Sequence, residues 1–453
     1  MPAFRAVLIA NRGEIACRIA RTLREMGIES VAVYSDADAD APHVKAADRA
    51  VHIGEAPPAK SYLLQDRIIA AAKETGAEAI HPGYGFLSEN AAFARRCEEA
   101  GLVFIGPSPA AIEAMGSKIE ARRAAKAAGV PIVPGTEDPL DDAEQILAAA
   151  KAIGYPVAIK AAAGGGGYGM RVAHTPEEVQ ATLDGVRRDA ERAFGDSTVY
   201  VERFFSPAPR HIEIQVLGDR HGRVVHLGER ECSLQRRFQK IVEETPSTAV
   251  SPELRARMGA AAVALAEKMG YSSAGTIECL VDEAGEFYFL EMNTRLQVEH
   301  PVTEEVTGVD LVREMIQVAA GERLSIPEGG VAPRGHSIEA RLYAEDPAKN
   351  FQPSPGTITE LRFPGGEGIR VDTGCETGSK VTFYYDPMIA KIIATGTTRA
   401  EAIARMQAAL AGTRVEGIKT NLPFLEKLFA TEDFAAGRIS TRYVDEHLPR
   451  IMA

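Results

Sequence analysis

Acidic and amide side chains alternate with apolar ones in the stretch from residue 275 to residue 300. Two runs rich in aromatic and β-branched residues flank a polar break that contains glycine, and this pattern predicts a β-hairpin. Because successive strand residues point to opposite faces, Glu278 lies on one face of the first strand, and Glu291 and Asn293 share a face of the second. Two carboxylates and an amide are hard oxygen ligands of the kind that Mg²⁺ takes. The hairpin is therefore a candidate magnesium site, and an ordinary hairpin with solvated acids is the alternative for this stretch alone.

Three more polar residues follow the second strand at a spacing of two, namely Arg295, Gln297 and Glu299. An extended chain directs all three side chains into the region that the metal would occupy. An arginine and a glutamate beside a cation can hold an oxyanion and take a proton from it. The stretch is thus a candidate site for activating an anionic substrate.

Four consecutive glycines, residues 164–167, follow a predicted strand that ends at Lys160. Backbone N–H groups of such a run can approach phosphate oxygens closely, and the run can close as a lid. A flexible linker is the alternative, but this run lies between two predicted strands. The sequence has no Lys-Ser/Thr after the glycines, so it is not a Walker A motif. We expect a phosphate-binding loop with Lys118 and Lys160 as cationic partners.

A predicted strand at residues 211–219 carries polar side chains on one face and apolar side chains on the other, which is typical of a strand that lines a cleft. An ordinary surface histidine is the alternative for its first residue. The segment that follows places three cations within five residues, and a solvated basic patch is the alternative there. The residues concerned are His211, Glu213, Gln215, Arg236, Arg237 and Lys240.

Strands and helices alternate over about residues 1–115, which predicts a βαβ arrangement with a parallel sheet. The turn at residues 11–14 lacks GxGxxG and gives no reason to expect a dinucleotide. The sequence HPGYGF, residues 81–86, forms a tight loop after a strand, at the edge where ligands bind in open α/β sheets. A purely structural turn is the alternative. From about residue 332 short strands predominate before the last helices, so this lobe is predicted to be α+β.

The composition limits the classes of function. The 453 residues exceed one hydrophobic core and are expected to form two to four lobes. The net charge of −12 argues against a nucleic-acid or anionic-membrane surface. Five cysteines without CxxC spacing fit a reducing compartment. With no long apolar run and no signal peptide, we expect a cytoplasmic protein.

The sequence EMNTRLQVEHPVTE, residues 291–304, resembles the signature of the biotin carboxylase group within the ATP-grasp superfamily. The resemblance extends from ANRGEIACRI to GRISTRYVDEH, nearly the whole chain. It implies a mixed α/β and α+β, three-lobed ATP-grasp fold with an N-terminal Rossmann-like parallel sheet, a mobile glycine-rich lid and a C-terminal α+β domain. The implied bounds are 1–115 for the N-terminal domain, 116–331 for the ATP-grasp domain with its lid at about 132–204, and 332–453 for the C-terminal domain.

The resemblance also implies an activity. A family member would carboxylate biotin with bicarbonate and ATP through carboxyphosphate, as the first half-reaction of an acyl-CoA carboxylase, most simply acetyl-CoA carboxylase. ATP with Mg²⁺ or Mn²⁺ would be required, and biotin would arrive on a separate chain, because the sequence has no Met-Lys-Met biotinylation motif. The implied partners are a second copy of the chain, a biotin carboxyl carrier protein and a carboxyltransferase subunit.

Residue by residue, the resemblance assigns six groups of residues. Metal ligands would be Glu278, Glu291 and Asn293, and ATP contacts would be Lys118, Lys160, Gly165, Gly166, Gly167, Glu202, Phe205, His211, Gln235 and Leu280. Bicarbonate would meet Lys240, Arg295, Gln297, Val298 and Glu299, and biotin would meet Tyr84, Gly85 and Arg341. The catalytic set would be Glu299 as the base, Arg341 beside the biotin enolate, Arg295 and Lys240, and the dimer contacts would be Arg18, Arg21 and Glu25.

Two positions depart from the family pattern. Phe238 stands where QRRHQK places a histidine, and residues 202–205 read ERFF where EKYL is common. A phenyl ring cannot hydrogen-bond, so the first departure predicts weaker ATP binding with retained chemistry.

The sequence leaves three alternatives to an acyl-CoA carboxylase subunit. One is another ATP-grasp ligase, such as a carbamoyl-phosphate or purine-type carboxylase, but the RLQVEH and HPGYGF stretches favour biotin carboxylase. The second is a nucleotide-binding regulatory subunit without turnover, which only Phe238 supports. The third is a carboxylase that serves another acceptor, such as pyruvate or urea.

Overall fold

The computed structural model describes residues 4–161, 170–194, 197–328 and 330–452. The first lobe contains β1 (Ala6–Ile9), α1 (Gly13–Glu25), β2 (Glu29–Ser35), α2 (Pro42–Ala46), β3 (Arg49–Gly54), α3 (Gln65–Thr75), β4 (Ala79–His81), α4 (Ala91–Glu99), β5 (Val103–Phe104) and α5 (Pro109–Gly116).

The five strands of this lobe form a parallel sheet in the order β3-β2-β1-β4-β5. Along α1, the residues Ile15, Ile19 and Leu23 recur at helical spacing, and all three are buried against the sheet. The predicted Rossmann-like arrangement is confirmed. The carboxyl ends of β1 and β4 place the 81–86 loop beside the start of α1, since the side-chain amide of Asn11 donates to the backbone carbonyls of Pro82 and Tyr84.

A small subdomain follows the first lobe. It contains α6 (Lys118–Ala127), α7 (Ala143–Ile153), β6 (Val157–Ala161), β7 (Met170–Ala173), α8 (Val179–Phe194) and β8 (Val199–Arg203). Its three strands form an antiparallel sheet in the order β7-β6-β8, with a hydrophobic core of its own under α7 and α8. A separate core lets such a unit move as a body relative to the rest of the molecule.

The next segment supplies most of the candidate site. It contains β9 (Arg210–Gly218), β10 (Val224–Arg236), β11 (Gln239–Thr245), α9 (Pro252–Lys268), β12 (Ser273–Val281), β13 (Phe287–Asn293), α10 (His300–Thr307) and α11 (Leu311–Ala319). The last part contains β14 (His336–Tyr343), β15 (Glu345–Asp346), β16 (Gln352–Pro353), β17 (Gly356–Thr357), β18 (Glu360–Arg362), β19 (Ile369–Thr373), β20 (Lys380–Val381), β21 (Met388–Gly396), α12 (Arg399–Gly412), β22 (Arg414–Glu416), α13 (Leu422–Phe429), α14 (Glu432–Ala435) and α15 (Tyr443–Met452).

One antiparallel sheet joins these two parts of the chain. Its eight strands lie in the order β13-β12-β9-β10-β11-β14-β21-β19, and Val242 on β11 is the Cα partner of Ala340 on β14. The sheet therefore continues across residue 331, where the sequence pattern changes, and the last lobe contributes strands to the same surface as the hairpin β12–β13. Within the described ranges no helix is both long and apolar enough to span a bilayer.

Candidate active site

The hairpin β12–β13 forms one edge of the large sheet. Glu278 and Glu291 are direct Cα partners across the two strands, so their side chains leave the same face. Asn293 donates from Nδ2 to Glu278 Oε1 at 2.9 Å. Glu278 and Asn293 are buried, and Glu291 is exposed. Because all three side chains carry an oxygen atom that can bind a metal and leave the same face, the set fits a hard divalent cation such as Mg²⁺.

Lys240 on β11 lies next to this set. Its Nζ is 2.7 Å from Glu213 Oε2, 2.9 Å from Glu278 Oε1 and 2.7 Å from Glu299 Oε1. Burial opposes the charge of this ammonium, but the three carboxylates outweigh burial and raise the pKa of Lys240 well above its usual value. The lysine is therefore a permanent cation at the centre of the sheet surface.

Glu299 immediately precedes α10 and is held between two cations. Its Oε1 meets Lys240, and its Oε2 accepts from Arg341 Nη2 at 2.9 Å. Burial raises the pKa of Glu299, but Lys240, Arg341 and the deeper Arg230 outweigh burial and hold the pKa well below its usual range. In this arrangement Glu299 is ionised, and it can accept a proton effectively only when a cation withdraws.

Arg295 and Gln297 hold the stretch between β13 and Glu299 in place. Arg295 donates to Glu89 Oε2 from Nε at 2.8 Å and to Asn293 Oδ1 from Nη2 at 2.7 Å. Gln297 donates to Glu278 Oε1 at 2.8 Å. The sequence pattern directs all three polar residues of this stretch toward the metal region, and Arg295 contacts Asn293 of that set through one nitrogen and Glu89 at the rim through another.

Three protein families match consecutive parts of the chain. They are described as "Biotin carboxylase, N-terminal domain" over residues 3–112, "Carbamoyl-phosphate synthase L chain, ATP binding domain" over residues 117–327 and "Biotin carboxylase C-terminal domain" over residues 339–446. The chain is also 54% identical over 445 residues to biotin carboxylase 2 of Bacillus subtilis, a match that covers 98% of this chain and 100% of that protein. The chain belongs to the biotin carboxylase family. The resemblance stated from the sequence is confirmed.

Solved biotin carboxylase structures are similar over the whole length. The biotin carboxylase domain of Hydrogenobacter thermophilus 2-oxoglutarate carboxylase, a dimer in complex with MgADP, ADP and bicarbonate, is 48% identical with a TM-score of 0.93, and the match covers 99% of both chains. A Campylobacter jejuni biotin carboxylase in complex with a nucleotide described as β-γ-ATP is 45% identical with a TM-score of 0.93, over 98% of this chain and 99% of that chain. The predicted fold class is confirmed by both.

The residues that the resemblance assigns to ATP lie mainly on the small subdomain and on the strands β9, β10 and β12. Glu202 on β8 is ion-paired with Lys160 and Arg122. Burial raises the pKa of Glu202, but the two cations outweigh it and lower the pKa. Gly165, Gly166 and Gly167 lie outside the described residues, as does the side chain of Lys118.

Four further residues assigned to ATP lie together at the same end of the sheet. His211 Nε2 is 3.0 Å from Glu278 Oε2, and His211 Nδ1 is 3.1 Å from Gln235 Nε2. Leu280 is the Cα partner of His211 and is half-buried. The Phe205 ring packs against Tyr288 with ring centroids 5.3 Å apart. His211 is thus a buried link between Glu278 and Gln235 rather than an ordinary surface histidine.

The loop assigned to biotin lies across from Arg341. Tyr84 donates its hydroxyl to Glu14 at the start of α1, and Gly85 has a φ of +68°, a conformation that favours glycine. Lys391 on β21 is fully buried, with Nζ 3.1 Å from Glu14 Oε1 and 2.8 Å from the backbone carbonyl oxygen of Val298. This chain of contacts connects the loop to the residue before Glu299.

Sequence reasoning did not single out Arg230 or Glu89 and did not give Glu213 a role. Arg230 is fully buried and donates to Glu213, Gln215, Thr276, Gln297 and Thr303. Arginine is rarely fully buried unless it is paired, and the partners of Arg230 lie on other segments of the chain, so no local pattern identified it. Glu89 gave no such signal, because its partner Arg295 is 206 positions away in the chain.

The structure also shows where Phe238, which departs from the family pattern, and the residues expected at a dimer interface lie. Phe238 is 61% exposed at the tip of the β10–β11 hairpin, with a φ of +66°. Arg18 is buried and binds Glu304 and Asp310 of its own chain. Arg21 and Glu25 have exposed side chains that also form intrachain ion pairs.

Proposed function

We propose that this chain catalyses the ATP-dependent carboxylation of biotin by bicarbonate, with Glu299, Lys240 and Arg341 as the reacting surface. The observation that carries the assignment is the convergence of a base, a permanent cation and a guanidinium from three separate strands or loops onto one buried patch beside the hairpin acids. Family membership gives the reaction class, and this convergence supports the assignment of these three residues to it.

Bicarbonate is a poor electrophile, so it must first be activated by phosphoryl transfer from ATP to give carboxyphosphate. Phosphoryl transfer depends mainly on positioning and charge neutralisation. Glu278, Glu291 and Asn293 would hold Mg²⁺, which supplies charge for the phosphate oxygens. Lys240 and Arg295 would hold the anionic substrate, and Lys160 with the glycine run would cover the phosphates.

Biotin must lose its ureido proton before it is nucleophilic. Glu299 would accept that proton, either directly or through the phosphate that is released. Arg341 would face the negative charge that develops on the ureido oxygen, where a preorganised donor stabilises the transition state. Tyr84 and Gly85 would border the ring from the opposite lobe.

The carrier, the acceptor and the assembly are proposed as follows. Biotin arrives on a biotin carboxyl carrier protein, and a carboxyltransferase subunit passes the carboxyl group to an acyl-CoA. Relatives of similar identity carry names with different acceptors, such as a pyruvate carboxylase subunit of Methanothermobacter thermautotrophicus at 51% and the propionyl-CoA carboxylase alpha chain of Ruegeria pomeroyi at 51%. We therefore assign the choice of acceptor to the partner. We also propose a homodimer, a cytoplasmic location and the three domains 1–115, 116–331 and 332–453, with residues 132–204 as the lid.

ADP release from MgATP tests the proposal, measured with and without bicarbonate and with free biotin as the acceptor. The expected result is release that requires bicarbonate and increases with biotin. Release that ignores both compounds would point to a different ATP-grasp ligase. ATP binding with no biotin-dependent release would favour a regulatory subunit.

A further inference from the structure

Two buried glutamates beside the site have no part in the scheme above. Glu243 on β11 and Glu339 on β14 are direct Cα partners in the antiparallel ladder, and neither side chain is exposed. Among the described residues, none donates a hydrogen bond of good geometry to either carboxyl group. Buried carboxyl oxygens without well-placed donors are destabilising, so a pair of them calls for a role other than stability.

Arg341 connects this pair to the base. It lies two residues after Glu339 on the same face of β14. Its Nη2 is 2.5 Å from Glu243 Oε1 and 2.9 Å from Glu299 Oε2, and its Nε has no partner in the described part of the chain. One guanidinium nitrogen is therefore shared by two carboxyl groups, and a small rotation moves it fully to either.

The pair cannot hold two negative charges easily. Opposed residues in an antiparallel ladder have Cβ atoms about 4.5–5.5 Å apart, and two carboxylates at such a distance resist double ionisation. Burial raises the pKa of Glu339 well above its usual value, although Lys391 lowers it, and burial raises the pKa of Glu243 to about 7 against the opposing effect of Arg341. The pair thus disfavours double ionisation, and the stronger effect of burial on Glu339 favours that residue as the site of a shared proton.

Few other titratable groups influence the pair. The opposite face of β14 carries Ile338 and Ala340, which pack in the apolar core under α12. The charged or titratable groups that interact with the pair from the elements around it are Arg341 and Tyr343 on β14, Lys240 on β11, Cys232 on β10, Lys391 on β21 and Glu299 before α10.

We propose that Glu243 is a positioning residue for biotin carboxylation, which takes the Arg341 guanidinium from Glu299 while Glu339 keeps the proton of the pair. The inference rests on the proposed function. With Arg341 on Glu243, Glu299 loses one of its two neighbouring cations and becomes a stronger base. The ureido N–H bond then breaks as an O–H bond forms on Glu299.

The pH profile of kcat for biotin-dependent ADP release tests this inference. Glu243→Gln keeps the shape of the side chain and removes its charge, so Arg341 stays on Glu299 and lowers the pKa of the base. We expect the acidic limb of the profile to move to lower pH and the plateau to fall about tenfold, because a weaker base transfers the proton more slowly. KM for MgATP should change less than about twofold.

Glu339→Gln gives the opposite shift. The change removes the form of the pair in which Glu243 carries the shared proton, so Glu243 is ionised in a larger fraction of molecules. Arg341 then favours Glu243 more often, and the acidic limb moves to slightly higher pH. Glu231→Gln is the matched control, since Glu231 is a buried carboxyl group on β10 that binds Ser233 and Ser247 rather than Arg341. This control should keep the profile of the unsubstituted protein.

Shifts of the acidic limb in opposite directions in Glu243→Gln and Glu339→Gln support the inference, because a purely structural role would not produce them. An unchanged limb in both variants, or shifts in the same direction, overturns it. If Glu243→Gln fails to bind MgATP, the direction of the Glu339→Gln shift decides the question alone. Absence of biotin-dependent ADP release in the unsubstituted protein would contradict the proposed function itself.

Discussion

Arg341 Nη2 donates to Glu299 Oε2 at 2.9 Å, and this bond links the last lobe to the segment that follows the β12–β13 hairpin. It exists because β14 pairs with β11 in the large sheet, which brings the Arg341 strand beside Lys240. The same carboxylate meets Lys240 through its other oxygen at 2.7 Å. A base that two cations hold ionised in the resting site is the central feature of the proposed reaction.

Replacing the base should abolish turnover without abolishing nucleotide binding. Glu299→Gln keeps the size of the side chain and removes its ability to accept a proton, so kcat for biotin-dependent ADP release should fall about 10²–10⁴-fold. The dissociation constant for MgATP should change little. Glu283→Gln, at the exposed turn of the hairpin, is the control and should behave like the unsubstituted protein. Full activity in Glu299→Gln would assign the base elsewhere.

Arg341 should require its guanidinium and not only its charge. The rigid, planar guanidinium holds Nη2 between Glu243 and Glu299, and the flexible ammonium of lysine does not reproduce that position, so Arg341→Lys should lower kcat by about 10- to 100-fold. Steady-state kinetics with free biotin would measure the loss, and MgATP binding should persist. The conservative change Arg334→Lys, at an exposed position just before β14, provides a comparison. Equal activity in both variants would remove Arg341 from the reacting surface.

Glu14 should make stability depend on pH. Burial raises its pKa from 4.5 to about 7, although Lys391 opposes the shift. Between these two values the unfolded chain loses this proton and the folded chain keeps it, so this group lowers stability as pH rises, by about 3 kcal/mol over the window. Glu14→Gln should therefore gain thermal stability relative to the unsubstituted protein between pH 5 and pH 8.

The midpoint temperatures of thermal unfolding, measured by calorimetry at pH 5 and pH 8, would give that difference in stability. Glu99→Gln, an exposed carboxylate on α4, should show the same pH trend as the unsubstituted protein. A Glu14→Gln midpoint that falls with pH in parallel with the unsubstituted protein would contradict the raised pKa.

Phe238 should weaken ATP binding. The ring is exposed at the hairpin tip and replaces a residue that can hydrogen-bond, so Phe238→His should increase the apparent affinity for ATP several-fold with kcat retained. Phe383→His makes the same change at another exposed phenylalanine and should have no effect. An ATP affinity that Phe238→His leaves unchanged would show that the departure is neutral.

Local patterns predicted the parts of the site that lie close together in the sequence. Alternation along 275–300 placed Glu278 and Glu291 on one face, and the structure pairs them across the hairpin. The predicted strand at 211–219 is β9, Arg210–Gly218. Spacing within an element is enough for such predictions, because side-chain direction follows the backbone period.

Contacts between distant segments could not be read in the same way. Arg341 entered the sequence analysis only through the family resemblance, since its position depends on which strand pairs with β11. Arg230 and Glu89 were missed because their partners belong to other segments. Arg295 contacts Asn293 as the local alternation predicts, and its second contact, with Glu89, depends on a distant segment.

Transfer of label from radiolabelled bicarbonate to free biotin, in the presence of MgATP, tests the central claim most directly. The account predicts that the unsubstituted protein forms labelled carboxybiotin and that Glu299→Gln does not, while both bind MgATP. Labelled carboxybiotin formed at equal rates by both proteins, or by neither, would contradict it.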